Sequence, residues 1–210
     1  MGRDQPVKTV QTPRGPVRIV PQVRPEQLVS WELDPGIGKF SSYRSILTNK
    51  ESLAEQAVDP RSNLCLAIHG EKTIVGYCVR RPPSPDERWA KLRPPIMFEV
   101  FGENARGWRG LGLMKPMLEE VCLEPENEER ILYIVAYSWH WDLDYDKKSV
   151  QEYRDTIIHL LQPLGFRQYP TNEPNVCLRP ENLFMARIGR KVDSEVQRRF
   201  TNLLFGIIED

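Results

Sequence analysis

Ile96-Met97-Phe98-Glu99-Val100-Phe101, followed after a short loop by Arg109-Gly110-Leu111-Gly112-Leu113-Met114-Lys115, reads as a strand, a glycine-bearing turn and the start of a helix. Leu113, Met117, Leu118 and Val121 recur at helical spacing and predict an amphipathic helix from Gly112 to Cys122. Glycine lets a backbone approach an anion closely, and the first amides of a helix have no internal partner. Such a junction can hold a pyrophosphate. A short Gly-x-Gly before a helix is also a common plain turn, so the motif narrows the reading without deciding it.

Working outward, Arg130–Tyr137 is an apolar strand, and Lys148–Leu161 is a helix with Val150, Tyr153, Ile157, Leu160 and Leu161 inward. Leu164-Gly165-Phe166 ends that helix and starts a strand, and Asn182–Ile188 is another strand. Asp193 caps a last amphipathic helix carrying Val196, Phe200, Leu203, Leu204 and Ile207. Upstream, Leu64–Ile68 and Thr73–Val79 are strands joined by Gly70-Glu71, and five prolines in 81–95 mark a long loop. A helix is expected from Ser42 to Val58, and another from Pro25 through Leu33. Val7–Val10 and Val17–Val20 flank Thr12-Pro13-Arg14-Gly15-Pro16 as a hairpin. The order predicts an α/β (α+β) fold with a mixed sheet. Its parts are a hairpin at 1–24, a main domain at 25–190 and a C-terminal helix at 191–210.

A chain of 210 residues can build a full core, and 40% hydrophobic with 28% charged residues is ordinary for a globular protein. Acids and bases balance at 29 each, which argues against nucleic acid or a membrane surface as partner. Arg187, Arg190, Lys191, Arg198 and Arg199 form a local basic cluster, read either as a solvated face or as a site for an acidic partner. The cysteines at 65, 78, 122 and 177 form no C-x-x-C pair, and no apolar run approaches the roughly 18 residues of a membrane span. With no signal-peptide pattern at the N-terminus, the expected location is cytoplasmic.

At this point the order of elements resembles the GNAT acyltransferase superfamily. A closer resemblance, over nearly the whole chain, is to the acetoin-utilisation protein acetyltransferase family (AcuA). It is carried by Thr73-Ile74-Val75-Gly76-Tyr77, Glu87-Arg88-Trp89, Trp108-Arg109-Gly110 and Tyr133-Ile134-Val135. Trp139-His140-Trp141-Asp142-Leu143, Glu152-Tyr153-Arg154, Thr171-Asn172-Glu173-Pro174 and Met185-Ala186-Arg187-Ile188-Gly189 complete it. The resemblance implies a single, mostly antiparallel sheet flanked by helices, with two central strands splayed around the pantetheine arm of acetyl-coenzyme A. It implies a protein lysine acetyltransferase with acetyl-coenzyme A as donor, and acetyl-coenzyme A synthetase as the partner that acetylation silences. Two positions depart from the general superfamily pattern. Met114 takes a place that is usually glycine or alanine, and Leu161 stands where many members carry a tyrosine acid, so Tyr153 or a water is left to protonate the thiolate.

Amide formation needs a neutral amine, and a free lysine has a pKa of about 10.4, so a base must remove its proton. Glu99, flanked by Phe98 and Val100, sits where superfamily members often hold a glutamate base, and apolar surroundings raise a carboxyl pKa. Glu103 competes with it. His140, between Trp139 and Trp141, is a third proton carrier or else a structural histidine. Trp139 and Trp141 are candidate walls for the lysine stem, with Asp142 and Asp144 drawing in the ammonium. Phe101, Arg109, Gly110, Leu111, Gly112, Leu113, Met114 and Lys115 are the coenzyme-binding candidates, through backbone amides more than side chains.

No metal is expected. Asp142-Leu143-Asp144-Tyr145-Asp146 opens like a calcium loop, but its sixth position is Lys147 and its twelfth is Tyr153. His69, His140 and His159 are too dispersed for zinc. A serine or cysteine triad has no nucleophile-elbow motif behind it. The alternatives to a protein acetyltransferase are a small-molecule amine acetyltransferase and a non-catalytic regulator that binds acyl-coenzyme A. The oligomeric state is left open.

Overall fold

The computed structural model describes residues 8–38 and 49–209. In chain order the strands are β1 Lys8–Thr12, β2 Gly15–Val20, β3 Glu32–Leu33, β4 Asn63–His69, β5 Thr73–Arg81, β6 Met97–Asn104, β7 Ile131–Ala136, β8 Arg167–Gln168 and β9 Leu183–Ile188. The helices are α1 Pro25–Leu28, α2 Lys50–Gln56, α3 Met114–Cys122, α4 Leu143–Asp146, α5 Val150–Leu161, α6 Pro174–Cys177 and α7 Ser194–Leu203. The strands form one open, mostly antiparallel sheet in the order β1-β2-β4-β5-β6-β7-β9-β8, with β3 beside β5. The β3–β5 and β6–β7 pairs are parallel. Among the described residues no helix is long and apolar enough to cross a membrane.

The described chain divides into two compact units, one of residues 8–38, 49–79 and 102–121, the other of 80–101 and 122–209. In the first, the β1–β2 hairpin closes with Thr12 opposite Gly15, whose φ of 103° only glycine adopts readily. α3 begins at Met114 rather than Gly112, and the apolar face predicted from the sequence is buried, with Leu113 just before it and Met117 and Val121 on it at 0% exposure. α1 ends at Leu28 rather than continuing through Leu33. Glu32 and Leu33 are taken instead by β5, with Glu32 N–H donating to Lys72 O at 2.8 Å and Asp34 N–H to Ile74 O at 2.9 Å. The helix expected from Ser42 is described only as Lys50–Gln56, capped by Asn49; its first residues, 42–48, lie outside the described residues.

In the second unit, Trp89, Met97, Ile131, Tyr133, Phe184 and Phe200 share a core, and burying each such side chain stabilises the fold by about 1.5–3 kcal/mol. Leu203 and Leu204 of the C-terminal segment join it, but Ile207 is exposed, because α7 ends at Leu203 and Gly206 turns the chain at φ 78°. Ser149 and Glu152 form a capping box at the start of α5, where Ile158 and Leu161 are the buried residues and Ile157 and Leu160 are only partly covered. The β6–β7 pairing runs from Met97↔Ile131 to Glu99↔Tyr133 and then stops, although both strands continue. The two strands therefore part at Glu99. Cys65, Cys78 and Cys122 are buried, and burial lifts the Cys122 thiol to about 12, which leaves it unreactive.

The basic cluster is matched within the chain. Glu128 takes Arg187 and Arg190, Glu129 takes Lys191 at 3.1 Å, and Glu195 takes Arg198 and Arg199. The backbone N–H and guanidinium of Arg190, with Arg187, hold the Glu128 carboxyl down at about 2. A carboxyl depressed on folding contributes stability above its unfolded pKa of about 4.3 and loses it as the pH falls through the folded value. Thermal unfolding from about pH 5 to pH 2 is therefore expected to fall less steeply in Glu128→Gln than in wild type; identical slopes would remove Glu128 from the acid response.

Gly189 follows β9 and packs on the same segment. A Cβ there would come within 2.4 Å of the Asn127 carbonyl oxygen and of the Glu128 backbone. Backbone cannot swing aside as a side chain can. Gly189→Ala is expected to cost about 2–3 kcal/mol, lowering Tm by roughly 5–10 °C. A Tm equal to wild type would show that this segment yields freely.

Candidate active site

In the first unit, β6 ends at Asn104, one 3-10 turn covers Arg106–Trp108, and the chain then passes Gly110 (φ 72°) and Gly112 (φ 77°) into α3. A methyl group at either glycine would meet no atom of the described residues within 4 Å, which leaves the backbone open to an approaching group. Among the described residues no protein acceptor takes the amides of Leu111, Gly112, Leu113 or Met114. Pro116 has no N–H to add, and Lys115 is exposed. A run of unsatisfied donors at a helix N-terminus, with glycines clearing the approach, fits a pyrophosphate.

Residues 34–38 buttress the turn. Asp34 accepts from Gly36 N–H at 2.8 Å and from Trp108 Nε1 at 3.1 Å, and Arg106 N–H donates to Gly36 O at 3.2 Å. The Arg14 guanidinium lies over the Trp108 ring. Glu103, 8% exposed, accepts from Gly38 N–H at 2.9 Å and from the Tyr77 hydroxyl at 3.3 Å, with Arg109 Nη2 4.0 Å away. Arg109 also donates to Asn104 O through Nε at 3.3 Å. Glu103 and Arg109 thus knit the end of β6 to the turn, and backbone amides remain the better-placed phosphate donors.

In the second unit, Glu99 takes Arg81 on a single carboxylate oxygen, Oε2, from Nε at 3.0 Å and Nη2 at 2.9 Å. Oε1 accepts nothing among the described residues. Burial pushes the Glu99 carboxyl up, Arg81 pulls it back, and Glu87 adds to the rise. Phe101 lies under the Arg81 guanidinium at 5.0 Å. Tyr133, opposite Glu99 in the β6–β7 register, donates to Glu87 Oε2 at 2.9 Å. Burial together with Glu99 and Glu87 lifts the Tyr133 phenol far above its usual range.

Past the end of β7, Tyr137 stacks on Trp139 with centroids 4.8 Å apart, and His140 meets both rings edge-on. Burial lowers the His140 pKa, favouring a neutral imidazole. Trp141 is 6% exposed and stacks on Tyr153 at 5.2 Å, so the indole is buried with one face against that ring. Asp142 is 4% exposed, while Asp144 on α4 is exposed. The structure thus groups Glu99 with residues the sequence reading did not single out for chemistry: Arg81, Glu87, Tyr133 and Tyr137. Glu87 and Tyr133 stand in the strings that carry the family resemblance, and that is the one signal pointing to them. Among the described residues no group of three or more histidine, cysteine or acidic side chains is placed to hold a metal ion.

No family model matches the chain. The acetoin utilization protein AcuA of Bacillus licheniformis is 32% identical to it over 199 residues, which cover 94% of this chain and 93% of that one. The crystal structure of an acetoin utilization protein from Exiguobacterium sibiricum matches with a TM-score of 0.86 at 31% identity, over 97% of each chain. A GNAT superfamily phosphinothricin acetyltransferase from Sinorhizobium meliloti, solved in complex with acetyl-coenzyme A, matches in fold. Its TM-score is 0.53 at 13% identity, over 85% of this chain and 90% of that one.

Proposed function

The chain belongs to the acetoin utilization protein AcuA family of GNAT-fold acetyltransferases, and on that premise we propose that it moves acetyl from acetyl-coenzyme A to a lysine of acetyl-coenzyme A synthetase and so inactivates it. The observation that carries the donor is the turn at Gly110–Met114, whose open glycines and unsatisfied amides suit a pyrophosphate. The thioester supplies an activated acyl group; the chain supplies binding and proton handling. Glu99 is the base, with no described residue donating to Oε1 and a carboxyl pKa raised by burial, closer to the range a base at neutral pH needs. Glu103 is the weaker candidate, because Gly38 and Tyr77 already use its oxygens. The synthetase as target follows from the family resemblance.

The test is the intact mass of purified acetyl-coenzyme A synthetase after incubation with this protein and acetyl-coenzyme A. A gain of one acetyl group with loss of synthetase activity supports the proposal. Acetylation of free amines without change in the synthetase transfers the reading to a small-molecule substrate. Coenzyme binding by calorimetry with no transfer to either leaves a binding regulator.

A further inference from the structure

The proposed reaction needs an acid as well as a base. The lysine nitrogen bonds to the thioester carbonyl carbon, the carbon–sulfur bond breaks, and its electron pair leaves on sulfur, which must then take a proton. Leu161 offers none. Tyr153 lies stacked on Trp141, with Lys148 Nζ over its ring at 5.9 Å.

Tyr137 is placed differently. β7 pairs Tyr133 with Glu99, and residues paired across strands share a sheet face. Tyr137 keeps extended backbone, with φ −100° and ψ 126°, so the two-residue alternation carries from Tyr133 to Tyr137. Glu99, Tyr133 and Tyr137 therefore lie on one face, just where β6 and β7 part. Trp139 and His140 fix the Tyr137 ring.

Resting on the acetyltransferase reading above, we propose that Tyr137 is the acid of the reaction, its hydroxyl protonating the thiolate as coenzyme A departs. Burial and the charges of Glu173, Glu99 and Glu87 push the phenol up to about 12, so it stays protonated until used. The Asn175 side chain works the other way and favours the phenolate that forms. Because the Glu99 charge contributes to the rise, a proton arriving on Glu99 makes Tyr137 a stronger acid. Removal of the lysine proton thus prepares the protonation of sulfur, and environments that set two groups apart mark an acid–base pair. The proton balance closes: the first ammonium proton goes through Glu99 to solvent, the phenolic proton goes to sulfur, and the second nitrogen proton restores the phenol.

The experiment compares wild type and Tyr137→Phe in the full chain, with acetyl-coenzyme A and with acetyl-seleno-coenzyme A, whose selenolate leaves without a proton. Transfer to the synthetase is read by mass, and coenzyme A binding by calorimetry. Tyr137→Phe is expected to bind coenzyme A normally and to lose about 10²-fold in kcat with the thioester, while matching wild type with the selenoester. Equal losses with both donors, or no loss with either, overturn the acid role and leave transfer standing. No transfer by wild type with either donor overturns the acetyltransferase reading and the acid role together.

Discussion

Glu99→Gln is expected to keep its affinity for coenzyme A and to lose about 10²–10⁴-fold in turnover at neutral pH, the usual contribution of a positioned general base. The pH profile separates this from simple damage. A base works only when ionised, so wild-type activity falls as the pH drops through the Glu99 pKa. Burial raises that pKa, which places the acid limb above the ordinary glutamate value of about 4.3. In the glutamine variant the limb disappears, and the remaining rate climbs with pH as free lysine loses its own proton near 10.4. Glutamine keeps the size of the side chain and an oxygen for Arg81, so coenzyme binding and Tm serve as controls for folding. An unchanged rate at neutral pH would transfer the role of base to Glu103 or His140.

Gly112→Glu is expected to weaken coenzyme binding about 10²-fold while the chain remains folded. Space is not the obstacle, since a Cβ at Gly112 meets nothing. A new carboxylate roughly 5 Å from a phosphate costs about 3 kcal/mol at an effective dielectric near 20, or about 10²-fold in Kd. Gly112→Ala separates charge from backbone, because it shares the strain of φ 77° without the charge. Calorimetry with coenzyme A should show alanine weakened far less than glutamate. Equal affinity of Gly112→Glu and wild type would remove the turn as the phosphate cradle.

What the sequence made legible was local. The glycine-bearing turn before α3 and the Asp193 cap of α7 depend on neighbours within a few residues. Pairing across the chain was not legible. Glu32 and Leu33 carry no mark that β5 will claim them in place of a helix turn. Trp141 looks like a recognition residue in its string and proves buried against Tyr153, which helix packing alone decides. Arg81, Glu87, Glu99 and Tyr133 meet only through sheet register and a loop, so their chemistry is invisible until the strands are placed. The Asp34 support of the turn is hidden for the same reason, because residues 34 and 108 are distant in the chain.

The internal matching of the C-terminal basic residues bears on how this protein would meet the target proposed above. Arg187, Arg190, Lys191, Arg198 and Arg199 each have an acid of the same chain beside them, and the formal charge of the whole sequence is zero. With no net charge to guide an encounter, association with the proposed target is expected near the unsteered rate of about 10⁵–10⁶ M⁻¹s⁻¹, with a weak response to ionic strength. Partner choice is then made at contact, by shape and short-range bonding, and shows itself in how long a complex lasts more than in how fast it forms.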